Sequence, residues 1–357
     1  MTRPNGIGRR KDEQLKLAVD QQGLEMDSND FDSVAFVHHA LASIDRTDID
    51  LTTHIAGCRW TSPLYINGMT GGSARTGAIN RELAIAAADT GLPIASGSMS
   101  AYLRDPSVAN TYSVLREYNP HGFLMANVNA NATADQARRA VDLLAADALQ
   151  IHLNAVQEIV MVEGDRDFSH WQSQIEAITA TVGVPVIVKE VGFGLSRHTV
   201  MLLRDLGVSV ADVGGRGGTD FARIENMRRR TGADFSFIQG WGQSTPCCLL
   251  GAADVAGIEV VASGGIRSPL DVARALALGA RATGVAGRFL AILLEEGTEA
   301  LITTIRQWLD QLISIMTILG ARNPSGLTGC DLLFYGSVKT YCHAFGIDAP
   351  AYAYRSL

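Results

Sequence analysis

Eight short apolar runs recur between residues 64 and 286, and almost every one stops at a glycine or a polar side chain. They are Leu64-Tyr65-Ile66, Leu92-Pro93-Ile94-Ala95, Phe123-Leu124-Met125-Ala126, Leu149-Gln150-Ile151, Val186-Ile187-Val188, Val208-Ser209-Val210-Ala211, Val260-Val261-Ala262 and Thr283-Gly284-Val285-Ala286. Amphipathic stretches lie between them, at 80–90, 134–146, 197–206 and 269–278. Strand, helix, strand, repeated, predicts a parallel sheet covered by helices. Eight strands suit a (β/α)8 TIM barrel, whose polar strand ends gather at one mouth. A doubly wound open sheet would concentrate them at one switch point, whereas here nearly all strand ends carry them.

The barrel is expected over 61–295 of a single domain. An N-terminal extension, 1–60, precedes it and is read as helical around Asp30 to Leu41. A C-terminal helical segment and tail, 296–357, follow. Phe235-Ser236-Phe237-Ile238 is read as part of an insertion between the sixth and seventh strands rather than as a strand.

The net charge of -7 argues against nucleic-acid binding. An anionic ligand would need local cations, helix N-termini or a metal. The five cysteines form no CxxC pair and are read as reduced thiols of a cytosolic protein. No leader-like stretch follows the first charges, and no run reaches the ~18 apolar residues of a membrane span.

The stretch His152-Leu153-Asn154-Ala155-Val156-Gln157-Glu158 ends the apolar run at Ile151 with four polar side chains. Such groups need partners when buried, and a polar ligand with a metal ion would supply them. His152 and Asn154, two apart on an extended strand end, face one side and can donate to an anionic substrate. Gln157 orients substrate but carries protons poorly. Glu158 offers one carboxylate, enough for Mg²⁺ completed by substrate phosphate and water.

Two loops are read as phosphate sites. Ser263-Gly264-Gly265-Ile266-Arg267 and Ala286-Gly287-Arg288 each join a strand to a helix N-terminus. A second glycine cluster, Gly214 to Thr219, is read as close approach of backbone to a flat or phosphorylated ligand, with Thr219 donating. Neither a dinucleotide fingerprint nor a P-loop occurs. Lys189 should point into the mouth and hold negative charge. Arg9-Arg10-Lys11 reads either as a solvated cluster or as an arm closing over a diphosphate. Trp241 reads as core or as a wall beside an apolar tail.

In order and spacing, these segments resemble the FMN-dependent type II isopentenyl-diphosphate isomerases. The resemblance runs from Arg10 to about Tyr341 and includes Arg10-Lys11-Asp12-Glu13, Asn67-Gly68-Met69-Thr70-Gly71-Gly72, Gly97-Ser98, Ala126-Asn127, His152 through Glu158, Lys189 through Gly194 and Trp241-Gly242. It implies an FMN site of Met69, Thr70, Gly71, Ser98, Asn127, Lys189 and Thr219, with the phosphate on Gly264, Gly265, Ala286 and Gly287. It implies substrate binding by Arg10, Lys11, His152, Asn154 and Gln157, with Gln157, Lys189 and His152 catalytic and Mg²⁺ on Glu158. NADPH would reduce the flavin. A cytoplasmic homo-oligomer, tetramer or octamer, is also implied. The family often has His at position 14, Ser at 214 and Gln-Arg at 99–100, where this chain has Gln14, Gly214 and Met99-Ser100.

The reaction implied is the 1,3-allylic proton shift between isopentenyl and dimethylallyl diphosphate, in isoprenoid biosynthesis. The alternative is an FMN-dependent oxidoreductase of the 2-hydroxy acid oxidase type, which wants a His base and an Arg clamp. The loop after Val213 offers Arg216 and Arg223 but no His. An IMP-dehydrogenase-like enzyme needs a mouth cysteine, and Cys247 and Cys248 read as helical. A non-catalytic flavin-binding scaffold would need neither Gln157-Glu158 nor the basic arm.

Overall fold

The eight runs become eight strands in the computed structural model, which describes residues 6–22, 29–229 and 232–357. The first residues, read as carrying no leader, fall largely outside that range. The strands are β1 Leu64–Ile66, β2 Ile94–Ala95, β3 Leu124–Asn129, β4 Ala148–Leu153, β5 Val186–Glu190, β6 Val210–Asp212, β7 Glu259–Ser263 and β8 Thr283–Val285. Each pairs in parallel with the next, and β8 returns to β1 through Thr283↔Leu64 and Val285↔Ile66. The sheet is therefore a closed TIM barrel wrapped by helices. The helices start where the sequence caps them: Ser73 and Thr133 form capping boxes with Thr76 and Gln136.

Alternate residues on these strands enter the barrel, and their chemistry changes with height. Lowest are Tyr65, Met125, Ala148, Ile187, Val210 and Val261, which share one apolar cluster with Trp60 and Ile55. Trp60 and Ile55 come from the Thr53–Ile55 and Cys58–Trp60 hairpin, which plugs the barrel floor. Its two turn residues, Ala56 and Gly57, both have positive φ, as a tight hairpin of this twist requires. Two residues higher come Asn67, Asn127, Gln150, Asp212 and Ser263, all buried and polar. Lys189, two above Ile187, pairs in register with Asp212 on one side and on the other with His152, which stands two residues above Gln150.

The expected helix around Asp30 to Leu41 is not there. Asp30–Ser33 is a single 3-10 turn capped by Asn29, and Val34–Phe36 is a strand pairing antiparallel with Leu332–Phe334. Val and Phe favour that pairing, and its partner lies too far along the chain for local periodicity to reveal. The Ser236–Ile238 segment is a 3-10 turn inside the insertion, as expected. The C-terminal segment is helical at Thr298–Leu319, and the expected tail carries two further helices, Gly336–Ala344 and Ala349–Tyr352. Among the described residues no helix is long and apolar enough to cross a membrane.

The Gly6–Gln22 helix is announced in the sequence only by its basic cluster. Lys11, Gln14, Leu15, Ala18 and Gln21, which share one side of the helix at i, i+3, i+4, i+7 and i+10, form the face that it turns to the barrel mouth. Gln21 ties its far end down, exchanging hydrogen bonds of 3.2 and 3.0 Å with the backbone of Asp220. Asp12 accepts from Ser73 Oγ at 3.0 Å.

Candidate active site

A cavity of about 960 Å³ opens at the C-terminal ends of the strands, beneath the Gly6–Gln22 helix. That is the upper range for small-ligand and cofactor sites. Of the residues expected to form the site, Arg10, Lys11, Met69, Ser98, Asn127, His152, Asn154, Gln157, Glu158, Lys189, Thr219, Gly264, Gly265, Ala286 and Gly287 all line it. Thr70 and Gly71 do not. Thr70 is buried behind the wall, and Gly71 packs so closely on Tyr112 that a Cβ there would lie 2.1 Å from the ring. Trp241 lines neither cavity nor core: it is 62% exposed on the insertion.

One side of the cavity is a cradle of backbone donors. The Gly264, Gly265 and Ala286 N–H groups have no protein acceptor among the described residues. Gly287 opens the ten-residue Gly287–Glu296 helix, whose first N–H groups lack intrahelical partners. A phosphate group fits this donor set. Thr70, next to Met69 in sequence, has its Oγ1 buried without a partner behind this wall rather than on it. These residues fit the FMN expected here.

The glycine cluster from Gly214 to Gly218 borders the cavity through Gly214, Gly217 and Gly218, and it also meets a second constraint. A Cβ on Gly214 would meet Glu190 O at 2.1 Å, and one on Gly215 would meet Thr245 N at 2.4 Å. Gly264, at φ +87, would meet Gly215 O at 2.0 Å. The glycines let two protein loops touch. Asn29 locks that contact, donating to Gly265 O at 2.8 Å.

The opposite side is polar and ionic. Asn154 follows β4 and stands at the N-cap of the Ala155–Val160 helix, whose first turn carries Gln157 and Glu158. Asn154 Nδ2 donates to Glu158 Oε1 at 2.8 Å and to Gln157 Oε1 at 3.3 Å. The other Glu158 oxygen accepts from Asp165 N at 2.8 Å. Arg166 fixes this loop by donating to the carbonyls of Glu158, Met161, Gly164 and Asp165. Glu158 is thus a buried carboxylate aimed by neutral donors. No group of three or more His, Cys, Asp or Glu suited to a metal exists among the described residues. A cation here would take Glu158 plus ligands from outside the chain.

Lys189 is buried and donates to the backbone carbonyl of Glu190 at 2.9 Å, not to its carboxylate. Burial lowers its pKa, against the pull of Asp212 and Glu190. Glu190 turns instead to the Val191, Phe193 and Gly194 N–H groups, and burial pushes its pKa up to about 7. Lys11 is lowered to about 8, by burial first and then by Arg10. His152 is lowered to about 3, by burial and then by Lys189 and Lys11, so it is neutral. It contributes no positive charge of its own.

Two contributors escaped sequence reasoning. Glu225, almost fully buried, accepts from Gln14 Nε2 at 2.6 Å and from Gln157 Nε2 at 3.2 Å, and pairs with Arg228. It ties the Gly6–Gln22 helix to the candidate catalytic amide. Arg104 lines the mouth near Lys11, with no hydrogen-bond or ion-pair partner among the described residues. Its helix also carries Ser100, where the resembled family often has Arg. That departure was the available signal.

The family profile of FMN-dependent dehydrogenases matches residues 103–332. Solved structures share the fold: a mandelate oxidase at TM-score 0.61 and 17% identity, covering 91% of both chains, and a flavocytochrome b2 at TM-score 0.64 and 18% identity, covering 88% of this chain and 80% of that one. The barrel and the family profile thus define an FMN-dependent α/β-barrel protein. Among curated proteins, the isopentenyl-diphosphate delta-isomerase of Nocardia farcinica is 68% identical over 97% of this chain and 96% of its own. Those of a Streptomyces species and of Staphylococcus epidermidis are 58% and 42% identical, covering 97% and 95% of this chain and 95% and 96% of their own. The chain belongs to the isopentenyl-diphosphate delta-isomerase family, in its FMN-dependent type II branch.

Proposed function

We propose that this chain interconverts isopentenyl and dimethylallyl diphosphate, holding FMN on the Gly264/Gly265/Ala286/Gly287 side of the cavity and the substrate on the other. The observation that carries this reading is the shared cavity: a phosphate cradle faces Arg10, Lys11, His152, Asn154, Gln157 and Glu158 across it, with Lys189 buried between. Met69, Ser98, Asn127 and Thr219 complete the FMN wall. Thr70 and Gly71 act from behind it.

One substrate carbon gains a proton and another loses one, with no net redox change. Reduced FMN, when bound, supplies the acid–base chemistry that an unactivated alkene demands. Lys189 would supply positive charge to a bound flavin that carries negative charge when reduced. Arg10 and Lys11 would hold the diphosphate, and Glu158 would hold a Mg²⁺ whose remaining ligands come from outside the chain. Gln157, oriented by Asn154 and Glu225, fixes the short alkene. Binding energy from the diphosphate thereby positions a substrate with little else to grip. NADPH serves as reductant without a dinucleotide fingerprint. The enzyme is cytoplasmic and homo-oligomeric.

The 2-hydroxy acid reading wants an arginine clamp from the loop after Val213, and neither Arg216 nor Arg223 lines the cavity. His152 is the sole histidine on the cavity wall among the described residues, and Arg216 is exposed and turned to Gly240 O. Cys247 and Cys248 are buried in the Thr245–Ala252 helix, away from the cavity wall, which removes the cysteine nucleophile. The test is turnover of isopentenyl diphosphate with FMN, Mg²⁺ and NADPH, followed as acid-labile allylic product. Product in large excess over NADPH consumed is expected. Oxidation of a 2-hydroxy acid with no allylic product would overturn the proposal.

A further inference from the structure

Below His152 a row of buried amides runs through the barrel interior to a carboxylate. Asp212 is fully buried, and every group on it donates: Tyr65 Oη and Ser263 Oγ at 2.7 Å, Gly214 N at 3.2 Å and Asn67 Nδ2 at 3.4 Å. The orientation of Asn67 is set twice, since its Oδ1 accepts from Gly68 N at 2.9 Å. Gln150, also fully buried, must then turn Nε2 toward Asn67 Oδ1, 3.5 Å away. Its Oε1 accepts from Asn127 Nδ2 at 3.0 Å. That leaves Asn127 Oδ1 for His152 Nδ1, 2.8 Å away. A carbonyl oxygen only accepts, so the proton of a neutral His152 belongs on Nδ1. The Val128 carbonyl beside the ring also favours a ring N–H. The charged groups facing the ring are Lys189 and Lys11, both of which oppose a second proton.

We infer that this relay, from Asp212 through Asn67, Gln150 and Asn127, fixes His152 as the Nδ1–H tautomer, so that Nε2 meets the substrate as a hydrogen-bond acceptor. This rests on the proposed substrate for its ligand, but not for the tautomer. The diphosphate would then present an oxygen-bound proton to Nε2, since the contact to Asn127 Oδ1 is made by Nδ1. It reverses the donor role expected from sequence. Asp212, Asn67 and Gln150 become positioning residues that act through Asn127, well below the reacting atoms. A buried chain of this kind is worth its desolvation only when every member is satisfied, which here makes its direction unique.

The test is ¹⁵N NMR of the imidazole nitrogens in the FMN-loaded, substrate-free protein near neutral pH. His152 is assigned among the eight histidines by loss of its signals in His152→Asn. A protonated Nδ1 and a bare Nε2 are expected. A proton on Nε2, or an even mixture, overturns the inference. Gln150→Leu should release Asn127 and give mixed tautomers; an unchanged pure Nδ1–H form would show that the relay is not the cause. Asn127→Asp should keep the tautomer and raise the His152 pKa, and a switch to Nε2–H there would contradict it. Adding inorganic pyrophosphate with Mg²⁺ should move the bare Nε2 signal upfield, as acceptance of a hydrogen bond does. No movement would overturn the acceptor role. The free-protein spectra do not depend on isomerase activity, so failure of one reading leaves the other measurable.

Discussion

Asn154 Nδ2 donates to Glu158 Oε1 across 2.8 Å, so the amide read as a substrate contact is also what aims the carboxylate. Residues at i and i+4 meet on one helical face, and here the first of them stands at the helix cap. The pair fixes where a divalent cation would sit.

Glu158→Gln should therefore cut turnover by on the order of 10²-fold or more, while FMN stays bound. Asn154→Ala should raise the Mg²⁺ concentration needed for half-maximal rate by roughly 10-fold, because the carboxylate loses its guide. Titrating activity against Mg²⁺ separates the two. An unchanged Mg²⁺ requirement in both variants would remove Glu158 from the metal's ligands.

Arg104→Ala should raise KM for isopentenyl diphosphate roughly 10-fold with little change in kcat, the signature of lost uniform binding. The effect should shrink as salt is added, since Arg104 is exposed at the rim. Steady-state kinetics at two ionic strengths decide this. A fall in kcat at constant KM would place Arg104 elsewhere in the cycle.

The rate constant kcat/KM should decline as pH rises through about 8, the value to which burial and Arg10 lower Lys11. The sign follows from charge: below that pH Lys11 is a cation that attracts diphosphate, and above it the attraction goes. Lys11→Arg should carry the decline to higher pH, since arginine stays charged. A pH profile identical in the two proteins would assign the limb to another group.

Gly264→Ala should lower the melting temperature and strip FMN together. The backbone there sits at φ +87, and the new Cβ would press on Gly215 O. A loss of about 2 kcal/mol or more is expected for such a site. Full stability with full flavin retention would contradict the loop-on-loop contact.

The barrel was legible because its strands are buried on both faces and so read as unbroken apolar runs. The mouth was legible because those runs end in residues too polar for a core, as at His152 and Lys189. The inward parity that stacks Met125 below Asn127, and Ala148 below Gln150 and His152, was also present in the sequence, but shows only once the barrel interior is known. Glu225 was not legible: it stands 68 positions from Gln157, and only folding brings them together. The same holds for Val34–Phe36, whose strand exists because Leu332–Phe334 pairs with it. The Gly214–Gly218 loop was only half legible, for a physical reason: Gly214, Gly217 and Gly218 line the cavity, and Gly214 and Gly215 also touch other loops. Glycine reports close approach, but not whether a ligand or another loop does the approaching.

The flavin titration tests the whole account most directly. Purified protein, supplied with FMN and desalted, should remain yellow with close to one FMN per chain, and Gly287→Asp, which sets a carboxylate against the phosphate cradle, should elute colourless. Wild-type protein that takes up no FMN, or a Gly287→Asp variant that retains it fully, would contradict a flavin phosphate seated at the ends of β7 and β8.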